Sequence, residues 1–430
     1  MRRCGGGFDR FLIQLLCVCL ITHIVPHCSA KIKVKTSMRP TLGWNSWYAL
    51  GKEAGWPITT ERVILETAQA LVSTGLRNAG YDTLVIDDSW EAVSRAPRPN
   101  DGLRANRKKF PHGMKYIADR LRSPDFNLTL GLYTVPGNFT CSGEVEENAG
   151  NKGALGSFGH VQADIDLWVG EWGVGYIKNC VCNTTASLRS HAYIDMKKAI
   201  ERYPDHSVTY ECANFMDNPW SSNEAKGRIC NIWSVSDDVP DDFESWTAGV
   251  DKAVQDKVNR YAGISDRGGG WSSFDYLQVG GKQTIAEYRS QISMFAILAA
   301  PIFIGTDVRN ITEEGLQVYL AKEILQVHQD SLGHPGVRIQ QNTQKGYEIW
   351  VRRLRDNRST CAWMVFNRAA TGQHILVSFS TMPTYCFGPN TEEFSLRDAW
   401  EKKTLGTFSR NGHLTVNLDA HSCAVLIVSV

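Results

Sequence analysis

One pattern repeats along most of this sequence and limits its fold: a short run of β-branched and aromatic residues, then a stretch with helical periodicity. Eight runs have the composition of strands: Thr41–Trp44, Thr83–Ile86, Leu128–Tyr133, Gly175–Lys178, Val208–Tyr210, Ile232–Val235, Tyr276–Val279 and Ile302–Gly305. The helical stretches include Glu61–Thr74, His112–Arg122, Ala163–Trp168, His191–Arg202 and Gln283–Leu298. Eight strands, most followed by a helix, predict an α/β fold of the (β/α)8 TIM-barrel type. A doubly wound sheet is the alternative, but no GxGxxG motif follows the first strand, which disfavours dinucleotide binding.

The C-terminal part of the sequence has a different pattern. Its apolar runs alternate or are β-branched, with turn residues between them: Gly336–Gln341, Tyr347–Arg353, Ala362–Asn367, His374–Phe379, Leu414–Leu418 and Ala424–Val430. Little helical periodicity remains, which predicts a C-terminal antiparallel β-sandwich domain. We place the barrel at residues 31–332 and the β domain at residues 333–430.

The first thirty residues have the features of a secretory signal peptide. Arg2, Arg3 and Arg10 precede an apolar run of fifteen residues, and small residues ending at Ala30 follow it. A signal anchor is the alternative, but the run is short for a membrane-spanning helix. No later stretch is apolar for long enough to span a bilayer, so we expect no membrane span after cleavage. The predicted location is the secretory pathway, with delivery outside the cell or to the lysosome.

Glycosylation signals and cysteines fit that compartment. Five Asn-x-Ser/Thr sequons begin at Asn127, Asn138, Asn183, Asn310 and Asn357. Removal of the signal peptide leaves eight of the twelve cysteines, which default to disulfides in an oxidising lumen. The formal net charge of +1 argues against nucleic acid or an anionic membrane as the main partner.

Polar and aromatic residues follow several predicted strands, where the active site of a barrel enzyme lies. The main groups are residues 44–47, Asp87 with Asp88, Tyr133, Lys178, residues 236–238, and Trp271 with Asp275. Carboxylates bind sugar hydroxyls and indole rings pack on the apolar face of a pyranose, so the pattern predicts a carbohydrate ligand. The sequence has no HExxH motif, no phosphate-binding loop and no GxSxG motif, and we expect neither metal nor cofactor.

The same segments resemble glycoside hydrolase family 27, the α-galactosidase and α-N-acetylgalactosaminidase (melibiase) family. The motifs that carry the resemblance are GWNSW (43–47), IDDSW (86–90), residues 102–119, GLYTVPGNFTC (131–141), residues 271–275, AAPIFIGTDV (299–308) and HQDSLG (328–333). The resemblance implies a barrel followed by an antiparallel β domain. It also implies sugar contacts for Trp47, Asp87, Asp88, Tyr133, Lys178 and Asp275. Asp238 falls on the family's acid/base position.

The family's nucleophilic Asp does not carry over. The pattern Lys-x-Asp-x-Cys on the fourth strand reads Lys178-Asn179-Cys180-Val181-Cys182 here. Without a gap, Cys180 stands at the nucleophile position and Cys182 pairs with Cys141. With a two-residue deletion, Cys180 is the structural cysteine and no nucleophile remains. The resemblance implies a further disulfide, Cys212 with Cys230, and leaves open the pairing of three other cysteines: Cys361, Cys386 and Cys423.

Other positions depart from the family as well. Ser234 replaces an Arg, the loop that reads the 2-substituent of the sugar holds Ala213 and Met216, and residues 272–275 read Ser-Ser-Phe-Asp. A thiolate at Cys180 would need a lowered pKa to attack, and an inert thiol or disulfide half is favoured.

Two functions follow from these observations. The first is an α-galactosidase-like hydrolase of terminal α-linked galactose or related sugars, with a mechanism impaired or altered by the missing Asp. The second is a catalytically degenerate galactoside-binding homologue, lectin-like or regulatory. The resemblance also allows a homodimer.

Overall fold

Eight parallel strands form the first sheet of the structure. Their bounds are β1 Leu42–Asn45, β2 Thr83–Ile86, β3 Thr129–Thr134, β4 Tyr176–Cys180, β5 Thr209–Ala213, β6 Ile232–Ser234, β7 Trp271–Ser273 and β8 Ile302–Ile304. They are hydrogen-bonded in the order β7-β6-β5-β4-β3-β2-β1-β8. Leu277 closes the circle, because its N–H donates to Phe303 O at 2.9 Å and its carbonyl accepts from Gly305 N at 2.8 Å. The predicted (β/α)8 barrel is confirmed.

This computed structural model describes residues 39–51, 58–99, 101–141, 154–181, 186–213, 229–255, 262–263, 269–355, 360–387 and 391–430. The predicted signal peptide at residues 1–30 lies outside the described residues. So do three predicted site positions: Cys182, Asn183 and Asn357. Within the described residues, no helix is long and apolar enough to cross a membrane.

Helices connect the strands and cover the barrel. The α-helices are Glu61–Ser73, Leu76–Ala79, Met114–Arg122, Val161–Ile165, Ala186–Ile200, Phe243–Gln255, Ile285–Leu298, Glu313–Tyr319 and Lys322–His328, and π-helical turns span Trp47–Gly51 and Asp166–Glu171. The first helix begins where the Thr60 side chain accepts a hydrogen bond from Val63 N, and it buries Ile64 and Leu71 against the barrel. Thr284 and Glu287 form a capping box at the start of Ile285–Leu298.

The predicted seventh strand, Tyr276–Val279, is wrong. The strand lies at Trp271–Ser273 instead, and residues 276–279 contribute only the bridge between Leu277 and Ile304. Asp275 adopts a left-handed backbone conformation with φ of 71°, which interrupts the extended chain between the two segments. Ser272 and Ser273 are buried although they are polar, so this strand lacks the apolar sequence that marks the other strands.

Two antiparallel sheets follow the barrel. Their strands are β9 Val337–Asn342, β10 Tyr347–Arg353, β11 Cys361–Asn367, β12 Gln373–Ser378, β13 Glu393–Asp398, β14 Lys403–Ser409, β15 His413–Leu418 and β16 Cys423–Ser429. The larger sheet has the order β14-β13-β16-β11-β10-β9, and β12 pairs with β15. Trp363 of the larger sheet and Val377 of the smaller one belong to the same buried cluster, so the predicted sandwich is confirmed. The sequence pattern does not predict β13 and β14, because many of their residues are polar and are exposed or half-buried.

One helix joins the barrel to the β domain. Ile285–Leu298 is buried along most of its length, and Ser290 Oγ donates to His421 O at 2.7 Å. Glu287 lies 2.7 Å from the ring nitrogen of His421, which also stacks on Phe243. The orientation of the β domain is therefore fixed by polar contacts as well as by apolar packing.

The disulfides of the described residues are Cys212–Cys230 and Cys361–Cys386. Cys141 is also disulfide-bonded, to a partner outside the described residues. Cys180 carries a thiol, so the alternative pairing of Cys180 with Cys141 is wrong. Cys423 is a thiol as well.

Candidate active site

The centre of the candidate site is the carboxylate of Asp87, directly after β2. Its Oδ2 atom accepts hydrogen bonds from Lys178 Nζ and from Asn45 Nδ2, both at 2.8 Å. The backbone N–H of Asp87 donates to Ser46 Oγ, and Asp88 N donates back to Asp87 Oδ1. Neighbouring parallel strands thus bring residues distant in sequence together at the carboxyl end of the barrel.

Lys178 is held between two buried carboxyl groups. It forms an ion pair with Asp87, and Glu211 is its neighbour on the adjacent strand. Burial lowers the pKa of Lys178, but Asp87 and Glu211 raise it, and the outcome is a pKa well above its usual range. Burial raises the pKa of Glu211, although Lys178 and the hydroxyl of Tyr176, which donates at 2.7 Å, oppose that shift.

A second pair of carboxylates lies on the other side of the barrel mouth. Trp47 Nε1 donates to Asp238 Oδ2 at 3.2 Å, and the next residue, Tyr48, donates its hydroxyl to Asp275 Oδ2 at 2.6 Å. Asp238 is exposed, whereas Asp275 is partly buried. Burial, followed by the charge of Asp238, raises the pKa of Asp275 to about 7. The two acids therefore lie in different environments, which is how carboxyl pairs acquire separate roles.

Cys180 ends β4, two residues after Lys178, and packs in a small cluster with Tyr133 and Ala213. Its Sγ lies 3.6 Å from the Sγ of Cys141, which also accepts a hydrogen bond from the Tyr133 hydroxyl. Burial raises the pKa of Cys180 to about 12, a shift that Lys178 opposes. The thiol is therefore neutral at physiological pH and lacks the activation that a nucleophilic cysteine needs.

The residues predicted for the site form one connected cluster. Cys180 is electrostatically coupled to Lys178, Asp87, Asp88 and Asp238, while Asp275 is coupled to Asp238 and Lys178. Tyr133 packs in the same buried cluster as Cys180, and Trp47 donates a hydrogen bond to Asp238. Their individual roles stay predictions. Three predicted glycosylation positions, Asn127, Asn138 and Asn310, are exposed.

Sequence reasoning missed two members of the cluster. Glu211 is buried within a strand of the barrel, and an acidic residue inside a predicted strand was the available signal. Tyr48 had no signal beyond its place next to Trp47, because its contact with Asp275 spans 227 residues.

Comparison with known proteins identifies the family. A family model described as "Alpha galactosidase A" matches residues 39–330, and one described as "Alpha galactosidase C-terminal beta sandwich domain" matches residues 344–428. Alpha-galactosidase 3 of Arabidopsis thaliana is 34% identical over 396 residues, which are 91% of this chain and 82% of that relative. The chain belongs to glycoside hydrolase family 27, the α-galactosidase family.

Further relatives of this α-galactosidase family member support the assignment. Alpha-galactosidase A of Homo sapiens is 30% identical over 77% of this chain and 75% of its own length. The crystal structure of α-galactosidase I from Mortierella vinacea matches with a TM-score of 0.78 at 27% identity, covering 92% of this chain and 98% of that one. A family 27 β-L-arabinopyranosidase from Geobacillus stearothermophilus shares the fold, with a TM-score of 0.72, 20% identity, and coverage of 92% and 98%.

The ionisation of Asp275 predicts how the stability of this family 27 protein depends on pH. Its pKa rises from 3.8 to about 7 on folding, so the folded state binds an extra proton between those values and stability falls as the pH rises through that window. We expect Asp275→Asn to increase the free energy of unfolding by roughly 2–4 kcal/mol above pH 7, and to lose that advantage near pH 4.

Urea denaturation across this pH range measures the effect. The exposed acid Asp205, changed to Asn, is the matched control and should follow the wild type. A constant difference between Asp275→Asn and wild type at every pH would contradict the assignment.

Proposed function

We propose that this protein acts on terminal α-linked galactose, or a closely related sugar, of oligosaccharides or glycoconjugates. The observation that carries the proposal is the Asp87 cluster at the barrel mouth, with Lys178 and Asn45 both 2.8 Å from one carboxylate oxygen. Such a preorganised set of acceptors and a fixed ammonium suits the hydroxyl groups of one sugar ring. The relatives named as α-galactosidases indicate that this sugar is galactose.

In this proposal Asp238 transfers the proton to and from the glycosidic oxygen. Its carboxylate lies at the open end of the site, where Trp47 orients it. Retaining hydrolysis also requires a nucleophilic carboxylate about 5–5.5 Å away from the acid. At the position that aligns with the family's nucleophile, Cys180 has a neutral, buried thiol, so we infer an altered or slow mechanism.

Hydrolysis of aryl glycosides tests the proposed activity. Aryl α-galactosides, α-N-acetylgalactosaminides and β-L-arabinopyranosides are incubated with the purified protein, and release of the aglycone is measured. We expect Asp238→Asn to lower the rate by about 100-fold or more, because it removes the acid/base group. Equal rates for wild type and Asp238→Asn on all three substrates would contradict the proposal.

Restoring a carboxylate at position 180 tests where the defect lies. We expect Cys180→Asp to raise kcat/KM at least about tenfold, since a carboxylate can form and release a glycosyl intermediate. Cys180→Ser is the matched control, because it is small, polar and not a carboxylate. NMR of the first-formed sugar should show a retained anomeric configuration for Cys180→Asp, and no gain over Cys180→Ser would argue that other positions are limiting.

The neutral thiol of Cys180 favours a second candidate function: binding of galactosides without turnover. Asp87 then acts as a ligand only, and we expect Asp87→Ala to weaken galactose binding by roughly 10–100-fold, the cost of a lost charged hydrogen bond. Isothermal titration calorimetry with galactose measures this, with Asp205→Ala as the surface control. Failure of the wild type to bind galactose would remove this candidate.

We propose further that the protein is N-glycosylated and is delivered outside the cell or to the lysosome. The exposed positions Asn127, Asn138 and Asn310 support this, and a homodimer would fit the family resemblance. An unchanged mass after enzymatic removal of N-glycans from secreted protein would contradict glycosylation.

A further inference from the structure

Two consecutive residues of one helical turn hold the two acids on the Asp238 side of the site. Trp47 and Tyr48 begin the π-helical turn that follows β1. Trp47 donates to Asp238 and Tyr48 donates to Asp275, at 3.2 and 2.6 Å. A single backbone segment therefore sets the spacing of both carboxylates.

Asp275 also anchors the loop that carries Asp238. The backbone N–H of Val239, the residue after Asp238, donates to Asp275 Oδ2 at 2.7 Å. On the other side of that peptide segment, Gln278 Nε2 donates to Val239 O at 3.4 Å. Asp238 itself is exposed in irregular structure four residues beyond the end of β6, so these contacts define where its carboxylate lies.

Asp275 has a backbone conformation that few residue types adopt readily. Its φ of 71° lies in the left-handed region, which Asp and Asn tolerate better than most residues. Asn at this position therefore keeps the backbone and an acceptor oxygen while it removes the charge. Asp275→Asn is a clean variant for that reason.

The charged and titratable groups that face Asp275 come from four strand ends. They are Asp238 after β6, Tyr48 after β1, Lys178 on β4 and Tyr276 beside Asp275 itself. Burial and the charge of Asp238 hold the pKa of Asp275 near 7, so Asp275 keeps its proton up to about that pH. Burial, followed by the charge of Asp275, raises the pKa of Tyr48 far above its usual range, so the phenol stays a donor.

We propose that Asp275, oriented by Tyr48, is a positioning residue for Asp238: it fixes the Asp238 loop through its hydrogen bond from Val239 N. The proposal rests on the proposed hydrolytic function. During hydrolysis Asp238 gives a proton to the glycosidic oxygen as the C1–O bond breaks. The water that adds to C1 then returns a proton to Asp238, so protons and electrons balance without another reactant.

An infrared pH titration of the whole protein tests the environment of Asp275 without relying on turnover. We expect one component of the protonated-carboxyl absorption to disappear with a midpoint near pH 7 in the wild type, and that component to be missing in Asp275→Asn. Tyr48→Phe should move the midpoint to higher pH, because the hydrogen bond from Tyr48 favours the ionised form. The signal persisting in Asp275→Asn, or an unmoved midpoint in Tyr48→Phe, would overturn the proposal.

Kinetics on an aryl α-galactoside test the positioning role. We expect Asp275→Ala, which removes the acceptor for Val239 N–H, to lower kcat by about 100-fold, the cost of misplacing a reacting group by about 1 Å, with KM changed by less than about threefold. Asp275→Asn keeps an acceptor oxygen, so it should restore most of kcat while losing the change in kcat that the wild type shows around pH 7.

Asp241→Asn is the matched control. Asp241 anchors the far end of the Asp238 loop through Gln283 and Tyr288, at 2.9 and 2.7 Å. It should leave the infrared midpoint and the pH profile of kcat in place. If Asp241→Asn removes both as Asp275→Asn does, the effect is loop disorder and the proposal fails. A wild type without turnover rejects the proposed function, while the infrared titration still decides whether Tyr48 orients a protonated Asp275.

Discussion

The ammonium of Lys178 is the interaction on which the rest of the site depends. It lies between Asp87 and Glu211 in the interior of the barrel, and each carboxyl alone would be costly to bury as an anion. With the ammonium in place, the buried carboxyl group of Asp87 has a cationic partner and also accepts a hydrogen bond from Asn45. The ion pair with Lys178 therefore allows Asp87 to be buried at the barrel mouth.

The same cation has a limited effect on Cys180. Lys178 lowers the pKa of the thiol, but burial and the surrounding carboxylates outweigh it. The acidic neighbours that hold the pKa of Lys178 high are Asp87 and Glu211, and the thiol of Cys180 stays neutral beside them.

Local sequence patterns could predict the architecture and that polar residues gather at the ends of the barrel strands, but not which side chains contact one another. The runs that became β1 to β6 are apolar and bounded by turns, and both barrel and sandwich follow from their order. β7 could not be predicted from apolar residues, because it contains Ser272 and Ser273, which are polar but buried. The hydrogen bond between Tyr48 and Asp275 and the Cys361–Cys386 disulfide each join residues that only the folded chain brings together. Their spacing in the sequence therefore does not predict them.

The way the barrel closes has a consequence for how the site fails. Leu277 carries the bridge between the seventh and eighth strands, and it lies two residues from Asp275. The weakest pairing in the barrel therefore lies beside Asp275, whereas Lys178 stands on, and Asp87 directly follows, a strand paired along its length. A substitution that disrupts the Leu277 bridge would therefore displace Asp275 before it reached the strands that hold Lys178 and Asp87.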